Sequence, residues 1–381
     1  MAGESDVSNS FSSSSSSIDS ISEIISGDSS PKRPYSKKLP IISDSKRPIY
    51  WQFFILFLSL KLTIFILAHI SVLAVSSNNS ASDLIIFASE DVGLFDRFLK
   101  VFVTPFMRWD AIHMLAISKH GYVFEVQYAF FPLLPCLSRY ISLGLLNYFG
   151  FGNFVSFEPL AAFIAILFTN SCHYLATLFL FKLTLFIFKS TKFAMITAIM
   201  FMFNPASIQL SSMYTEAPFS LLTFVGLYAF YCKMRFISSL FWAVASITRS
   251  NGIVLIGFYF YELLLTLFSA NEPVLSVSMI ISKLITTILY SIISISGFVG
   301  FQYFAYTQFC LKDDSLRPWC SSKIPNIYSF VQKEYWNVGL FNYFTPNQIP
   351  NFLIALPMII ICSSATFLYF ESDHLRFISL G

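Results

Sequence analysis

Long apolar runs separated by short polar segments dominate the chain from residue 49 onwards. A helix of about 20 residues crosses the ~30 Å hydrocarbon core of a bilayer, and the runs are of this order or longer. Because lipid offers no hydrogen-bond partners to the backbone, such runs are predicted to be helical. They lie near residues 49–75, 129–149, 157–188, 193–210, 216–232, 236–268, 275–310 and 352–370. The pattern predicts an all-α polytopic membrane protein.

Residues 1–48 differ from the rest of the chain, because they are rich in serine and have no apolar face. Such a segment cannot bury enough apolar surface to offset the entropy of ordering, which predicts a disordered tail. Lysines and arginines between residues 32 and 47 stand directly before the first apolar run. Positive charge beside a first span favours a cytoplasmic N-terminus. We therefore expect a disordered cytoplasmic tail, 1–48, followed by a membrane domain, 49–381.

Composition agrees with this division. Of the 381 residues, 55% are hydrophobic and only 12% are charged, against roughly 25% charged residues in soluble domains. The formal net charge is +3, which gives no reason to expect nucleic-acid binding.

The number of membrane crossings follows from where the lysines and arginines between the runs are placed. Positions 182, 189, 192, 233, 235 and 283 are predicted to be cytoplasmic. This requires 157–188 to be two short helices that turn near Asn170, and 236–268 to bend near residues 249–252. The expected count is eight to eleven spans. Three polar segments, 76–128, 204–216 and 311–350, then share the luminal side, where we expect the active site.

The densest polar cluster is Arg-Trp-Asp-Ala-Ile-His at residues 108–113. If it is helical, Asp110 and His113 are separated by three residues and face the same way. A carboxylate at the boundary of membrane and water could act as a general base for an acceptor hydroxyl. The alternative is a solvated surface helix in which Arg108 forms an ordinary ion pair.

Two further clusters are candidates for the same site. Glu216 follows Asn-Pro-Ala-Ser at 204–207, where the plain interpretation is a turn and a helix start that favours an acidic residue. Arg249 lies within a 33-residue apolar stretch, followed closely by Asn251. An arginine at membrane depth indicates a functional site and suits a phosphate, although snorkelling to the interface is the alternative.

Other motifs are few. Cys310 and Cys320 flank a polar loop expected in the lumen, where a disulfide and two free thiols are both compatible with the pattern. Asn78 begins an Asn-x-Ser sequence and is a candidate glycosylation site. The sequence lacks a phosphate-binding loop and an Asp-x-Asp motif. A metal-held nucleotide-sugar donor is therefore not indicated, and a lipid monophosphate donor is easier to accommodate.

Taken together, these blocks resemble the PIG-V family of glycosylphosphatidylinositol (GPI) mannosyltransferases. The similarity covers roughly residues 50–360 in order, which makes it specific. It rests on blocks at residues 108–113, 121–122, 128–135, 204–208, 212–216, 248–252, 306–310, 318–320, 328–332, 335–339 and 348–353.

The resemblance implies a GT-C type glycosyltransferase of the endoplasmic reticulum membrane. It implies transfer of the second mannose, in α1,6 linkage, from dolichyl-phosphate mannose to the GPI precursor by one inverting displacement. Asp110 matches the family's acid in the first luminal loop and would be catalytic. We assign substrate-binding roles to Trp109, His113, Glu216, Arg249 and Asn251. No cofactor or metal ligand is predicted, and a small membrane partner subunit is expected from fungal members.

The sequence departs from the family pattern in two places. The serine-rich tail is not part of it, and the family continues with further membrane helices, so we interpret the chain as a short form or an incomplete gene product. Three other functions remain as alternatives: another dolichyl-phosphate-sugar transferase, a secondary transporter, or a non-catalytic subunit. A transporter would show a hydropathy repeat between its halves, and none is visible.

Overall fold

The computed structural model describes residues 47–74, 86–87, 92–268, 276–312, 317–374 and 377, and this part of the chain is helical without any strand. Short 3-10 turns join several of the helices. The helices, α1 to α12 in chain order, are Arg47–Ala74, Leu94–Val103, Asp110–His120, Leu133–Tyr148, Phe157–Phe188, Thr191–Met202, Glu216–Tyr231, Arg235–Ser246, Gly257–Phe268, Val277–Phe309, Ile327–Trp336 and Ile349–Ser372.

The predicted all-α polytopic architecture is confirmed. Within the described ranges, five segments are long and apolar enough to cross a membrane: Ile49–Ala74, Phe157–Phe188, Ser250–Leu267, Val277–Phe309 and Pro346–Ser372. Helices α4 and α7 have 16 residues each, which is about 24 Å and less than the ~30 Å hydrocarbon core. The expected eight to eleven spans would need such short helices to cross as well, so that count stays a prediction.

The expectation that 157–188 forms two helices turning near Asn170 is wrong. α5 is one uninterrupted helix of 32 residues, and the Asn170 amide donates to the Ile166 carbonyl and to Ser211 instead of opening a turn. The physical reason is that nothing in the segment breaks the helix. After Pro159 in the first turn, α5 contains no proline or glycine, the residues that interrupt helices.

The predicted bend near residues 249–252 is present. α8 ends at Ser246, a 3-10 segment covers Ser250–Ile256, and α9 begins at Gly257. Gly252 packs so tightly that an added Cβ would lie 2.4 Å from the Cα of Ser246, a distance that backbone cannot tolerate. Glycine is thus required for the 3-10 segment to fold back onto the end of α8.

The bundle has a polar end, which we define as the end where residues 108–131, 204–216, 249–250 and 317–336 meet. The Tyr214 hydroxyl donates to the carbonyl of Arg108 over 3.2 Å, and Ser250 donates to the Tyr328 hydroxyl over 2.8 Å. Away from the polar end, near the start of α1, Phe53 packs edge-on against Phe181 of α5. Four separate stretches of the sequence are therefore brought together by the packing of the long helices.

Helix α2 lies within residues 84–106, a segment whose mixture of apolar and charged residues is typical of a helix on the membrane surface. Its apolar residues Leu94 and Phe98 are exposed, while Asp96 and Lys100 are completely buried and pair over 3.0 Å. Asp96 also accepts hydrogen bonds from the backbone and hydroxyl of Ser156, both 2.8 Å long. A helix with its apolar face outward is suited to contact with lipid.

Two predictions concern residues outside the described part. The tail 1–48 falls almost entirely within residues 1–46, and the glycosylation candidate Asn78 falls within 75–85. Both stay predictions.

Candidate active site

Asp110 is the first residue of α3, and an unusual backbone conformation precedes it. Trp109 has a φ of 49°, a left-handed value that a bulky residue adopts only when its surroundings impose it. The Trp109 side chain is 74% exposed and does not line the cavity. The turn ends the preceding segment and places Asp110 at the first position of α3.

A cavity of about 270 Å³ opens at the polar end, and Asp110 lies in its wall. Four separate parts of the sequence contribute to this wall, so the cavity exists only in the folded bundle. Its lining residues are Asp110, Met114, Ala129, Phe130, Phe131, Thr215, Thr248, Arg249, Ser250, Tyr328, Gln332 and Trp336.

Arg249 and Glu216 form an ion pair at the cavity, with 2.6 Å between Nη1 and Oε1. The same guanidinium nitrogen donates to the Thr215 hydroxyl over 3.1 Å. The other carboxylate oxygen of Glu216 is buried without a hydrogen-bond partner. Glu216 itself does not line the cavity, so this ion pair reaches the cavity through Arg249.

The charges around Asp110 alter its pKa. Burial raises the pKa above its ordinary value, and the nearby Glu216 carboxylate raises it further, whereas His113 and Arg249 act in the opposite direction. Burial and the charge of Asp110 also raise the pKa of Tyr214 to about 12, so that phenol stays a neutral donor. A carboxylate with an increased pKa is a stronger proton acceptor than an ordinary aspartate.

Helix α11 closes one side of the cavity with Tyr328, Gln332 and Trp336. Gln302 of α10 accepts from the backbone N–H of Tyr328 at 3.2 Å, which holds the start of α11 against the long helix. At its other end, the Trp336 ring packs edge-on against Phe130, with centroids 5.8 Å apart. Both ends of α11 are thus held against the cavity.

A buried carboxylate, Glu125, ties the segment before α11 to the rest of the polar end. It accepts hydrogen bonds from the Trp319 indole at 3.0 Å and from the Tyr335 hydroxyl at 3.2 Å. The structure also joins Cys310 and Cys320 in a disulfide, with their Cα atoms 5.7 Å apart. The connection from α10 to α11 is therefore anchored by covalent and polar contacts.

The structure brings together only some of the predicted site residues. Asp110 and Arg249 line the cavity, and Glu216 lies beside it through its ion pair with Arg249 and raises the pKa of Asp110. The His113 ring is outside it and stacks on Phe130, with centroids 4.8 Å apart. Asn251 is exposed and, like Trp109, is absent from the cavity wall.

Sequence reasoning gave no role to the residues of α11. Tyr328, Gln332 and Trp336 do fall in two of the motif blocks, at 328–332 and 335–339, and that was the available signal. Their spacing of four residues places all three on one helical face. This face is the one that closes the cavity.

The arrangement combines a proton acceptor, a guanidinium and aromatic walls around a space open to solvent. Such a set can take a proton from an attacking hydroxyl and balance the charge of a departing anion. Within the described ranges, no three His, Cys, Asp or Glu side chains come together in a way that could hold a metal ion.

Comparison with known proteins gives one family and many relatives. The family model described as Mannosyltransferase (PIG-V) matches residues 49–381. GPI alpha-1,6-mannosyltransferase 2 of Rattus norvegicus is 32% identical over 313 residues, 76% of this chain and 63% of the relative. The human protein of the same name is 31% identical over 313 residues, with 76% and 62% covered. GPI mannosyltransferase 2 of Gibberella zeae is 33% identical over 270 residues, with 68% and 61% covered.

The chain spans about three fifths of the length of these curated relatives. No solved structure matches it. The family match includes every residue of the cavity wall.

Proposed function

Because this chain belongs to the PIG-V family of mannosyltransferases, we propose that it transfers the second mannose of the GPI anchor. Curated relatives named GPI alpha-1,6-mannosyltransferase 2 support an α1,6 linkage. The donor in this proposal is dolichyl-phosphate mannose and the acceptor is the GPI precursor that carries one mannose. One observation carries the proposal: Asp110, the residue that matches the family's acid, shares a cavity with the Arg249–Glu216 pair.

Asp110 acts as the general base in this mechanism. Its carboxylate takes the proton from the acceptor hydroxyl while that oxygen forms a bond to the anomeric carbon of the donor mannose. The bond from this carbon to the phosphate oxygen breaks, and dolichyl phosphate leaves with the electron pair. A single displacement converts the β-linked donor into an α-linked product. A base positioned in this way contributes about 10²–10⁴-fold to the rate.

Arg249 and Glu216 are assigned to the binding of the two substrates. The guanidinium can pair with the donor phosphate, whose negative charge increases as the bond breaks. Glu216 contributes through Arg249, whose guanidinium it holds by the 2.6 Å ion pair. The indole of Trp336 and the ring of Phe130 supply apolar walls against which a sugar ring can pack.

The proposal places the protein in the endoplasmic reticulum membrane, with the polar end in the lumen and the N-terminus in the cytosol. Lipid-borne substrates would reach the cavity laterally, from the bilayer. A small membrane partner subunit, expected from the family's fungal members, is part of the proposal.

The test is complementation of cells that lack the second GPI mannosyltransferase. The chain should restore GPI-anchored proteins at the surface and remove the intermediate with a single mannose. Asp110→Asn keeps the size of the side chain but removes the base, so we expect the intermediate to persist, with turnover reduced about 100-fold or more.

The matched control is Asp373→Asn, because Asp373 is exposed at the end of α12 and distant in sequence from the cavity wall. It should rescue like the unaltered chain at equal expression. Rescue by Asp110→Asn at wild-type turnover would remove Asp110 from the mechanism. If the unaltered chain accumulates stably in the membrane and the single-mannose intermediate persists, the proposed transfer is wrong for this chain.

A further inference from the structure

A second cavity lies between α8, α9 and α10, and the proposed transfer does not use it. Its volume is about 250 Å³, close to that of the first cavity. Arg235, Glu262, Thr266, Lys283 and Tyr290 are among the residues that line it. Its wall combines ammonium, guanidinium and hydroxyl groups with aromatic rings, a composition typical of a polar ligand site and unlike a packing defect between apolar helices.

The charges at this cavity do not balance. Arg235 donates to Glu262 through Nε at 2.7 Å and also through Nη2. Lys233, mostly exposed, approaches the same carboxylate at 3.4 Å. Lys283 donates only to the Thr266 hydroxyl, at 3.1 Å, and forms no ion pair among the described residues. Among the residues that the structure describes, three cations therefore face one carboxylate, and the excess charge is positive.

The position of the cavity relative to the polar end follows from α10. Lys283 lies in the second turn of this helix, whereas Gln302 bonds to Tyr328 beside the first cavity. The 19 residues between them correspond to roughly 28 Å along the helix axis. This is nearly the ~30 Å thickness of the hydrocarbon core, so the two cavities open near opposite faces of the membrane.

The geometry points to a site for the negatively charged head group of an anionic phospholipid in the leaflet opposite the proposed active site. Lys283 is the principal cation, because Arg235 is already occupied by Glu262 and by the carbonyl of Phe230. Basic pockets between membrane helices at this depth bind lipid head groups. The exposed residues Leu284 and Ile288 lie just further along α10, where the acyl chains of such a lipid would run.

This site does not depend on the transfer reaction. A lipid bound there would hold together three helices that meet beside the break at 247–256, since α8, α9 and α10 all contribute to the cavity. We expect a bound lipid to stabilise the fold, because a ligand that binds only the native state increases the free energy of unfolding.

Native mass spectrometry of the full chain, delipidated in detergent, tests the site directly. We expect phosphatidylserine to bind with a stoichiometry of one and to raise the thermal unfolding midpoint, whereas phosphatidylcholine does neither at the same concentration. Lys283→Gln should weaken phosphatidylserine binding about fivefold, the effect of one cation near an anionic head group. Lys283 is exposed, so this variant is expected to fold.

Lys192→Gln is the matched control, because Lys192 is an exposed lysine at the start of α6 and does not line the cavity. It should bind phosphatidylserine like the unaltered chain. Equal binding of phosphatidylserine and phosphatidylcholine, or an unchanged affinity in Lys283→Gln, would overturn the proposal. Inorganic phosphate that competes fully with the lipid at millimolar concentration would also overturn it, since the site would then recognise a free anion.

Discussion

At the scale of single residues, the candidate site depends on the balance of charge around Asp110. One carboxylate and one guanidinium act on it in opposite directions, and they also pair with each other over 2.6 Å. Burial of Asp110 favours its neutral form, so the proton it accepts during transfer is held more strongly than by an aspartate in water. The cavity thus makes the Asp110 carboxylate a stronger base than an aspartate in water.

This balance predicts the pH dependence of the transfer. Asp110 must be ionised to accept a proton, so kcat/KM should fall as pH decreases through a pKa above that of an ordinary aspartate. Glu216→Gln removes a negative charge that raises this pKa, and the acid limb should shift to lower pH. Arg249→Gln removes a positive charge that lowers it, and the limb should shift to higher pH. Profiles of microsomal transfer, each normalised to its own maximum, measure both shifts.

The two variants serve as controls for each other, because both disrupt the same ion pair. A general loss of substrate binding would lower the absolute rates of both variants but leave the acid limbs of their normalised profiles in place. If the acid limbs of the unaltered chain, Glu216→Gln and Arg249→Gln coincide, Asp110 is not the group whose ionisation limits the reaction.

The residues of the site were only partly predictable from the sequence. Asp110, Glu216 and Arg249 could be identified because a charged group beside or within apolar runs has few explanations other than function. Asn251 was assigned with Arg249 because the two are neighbours in sequence, but the 3-10 segment rotates successive residues to different sides, and Asn251 is exposed. Gln332 could not be assigned, because only the packing of α11 against α10 brings it to the cavity.

At the scale of elements, the break between α8 and α9 positions Arg249. The N–H of Gly252 donates to the Arg249 carbonyl over 3.0 Å, which closes the turn. The absence of a side chain at Gly252 lets this turn rest on Ser246. A long apolar stretch thus places an arginine beside the cavity without interrupting the packing of α8 on α10.

Gly252→Ala tests this element. The new Cβ would lie 2.4 Å from the Cα of Ser246, so the backbone must move and carry Arg249 with it. Because misplacement by about 1 Å can reduce a rate roughly 100-fold, we expect a loss of that order in the complementing transfer activity. Gly300→Ala in α10 is the control, since its added Cβ meets nothing within 4 Å, and it should retain activity. Full activity of Gly252→Ala would show that the turn does not position Arg249.

The elements themselves were largely predictable, because apolar length and turn residues define helices in lipid. The failure at α5 arose because the turn near Asn170 was inferred from the expected side of the lysines. The segment itself contains no proline or glycine after Pro159 that would break the helix. Sequence patterns report the apolar character of a helix, but not whether lipid or protein lies against it.

At the scale of the whole molecule, the two cavities define an orientation in the membrane that can be measured. The proposed function requires the polar end to be luminal. Lys323 is exposed at that end, and Lys192 is exposed at the start of α6. In sealed microsomes, a membrane-impermeant maleimide should label Lys192→Cys at once, but Lys323→Cys only after permeabilisation.

The unaltered chain gives the background for this experiment, because Cys362 is exposed and Cys136, Cys172 and Cys232 are free thiols. Labelling of Lys323→Cys without permeabilisation would place the polar end in the cytosol. That result would contradict the proposed site of transfer, whatever the activity of the chain.

Helices α5 and α10, of 32 and 33 residues, have a further consequence. At 1.5 Å per residue each is about 50 Å long, well beyond the ~30 Å of hydrocarbon that it crosses. Unless such a helix tilts strongly, its ends must extend into the head-group layers. The polar end of the bundle then lies at the level of the head groups. The lengths of α5 and α10 then fix the depth of the first cavity in the membrane. A polyisoprenyl-linked sugar would meet its acceptor among the head groups without either lipid leaving the bilayer.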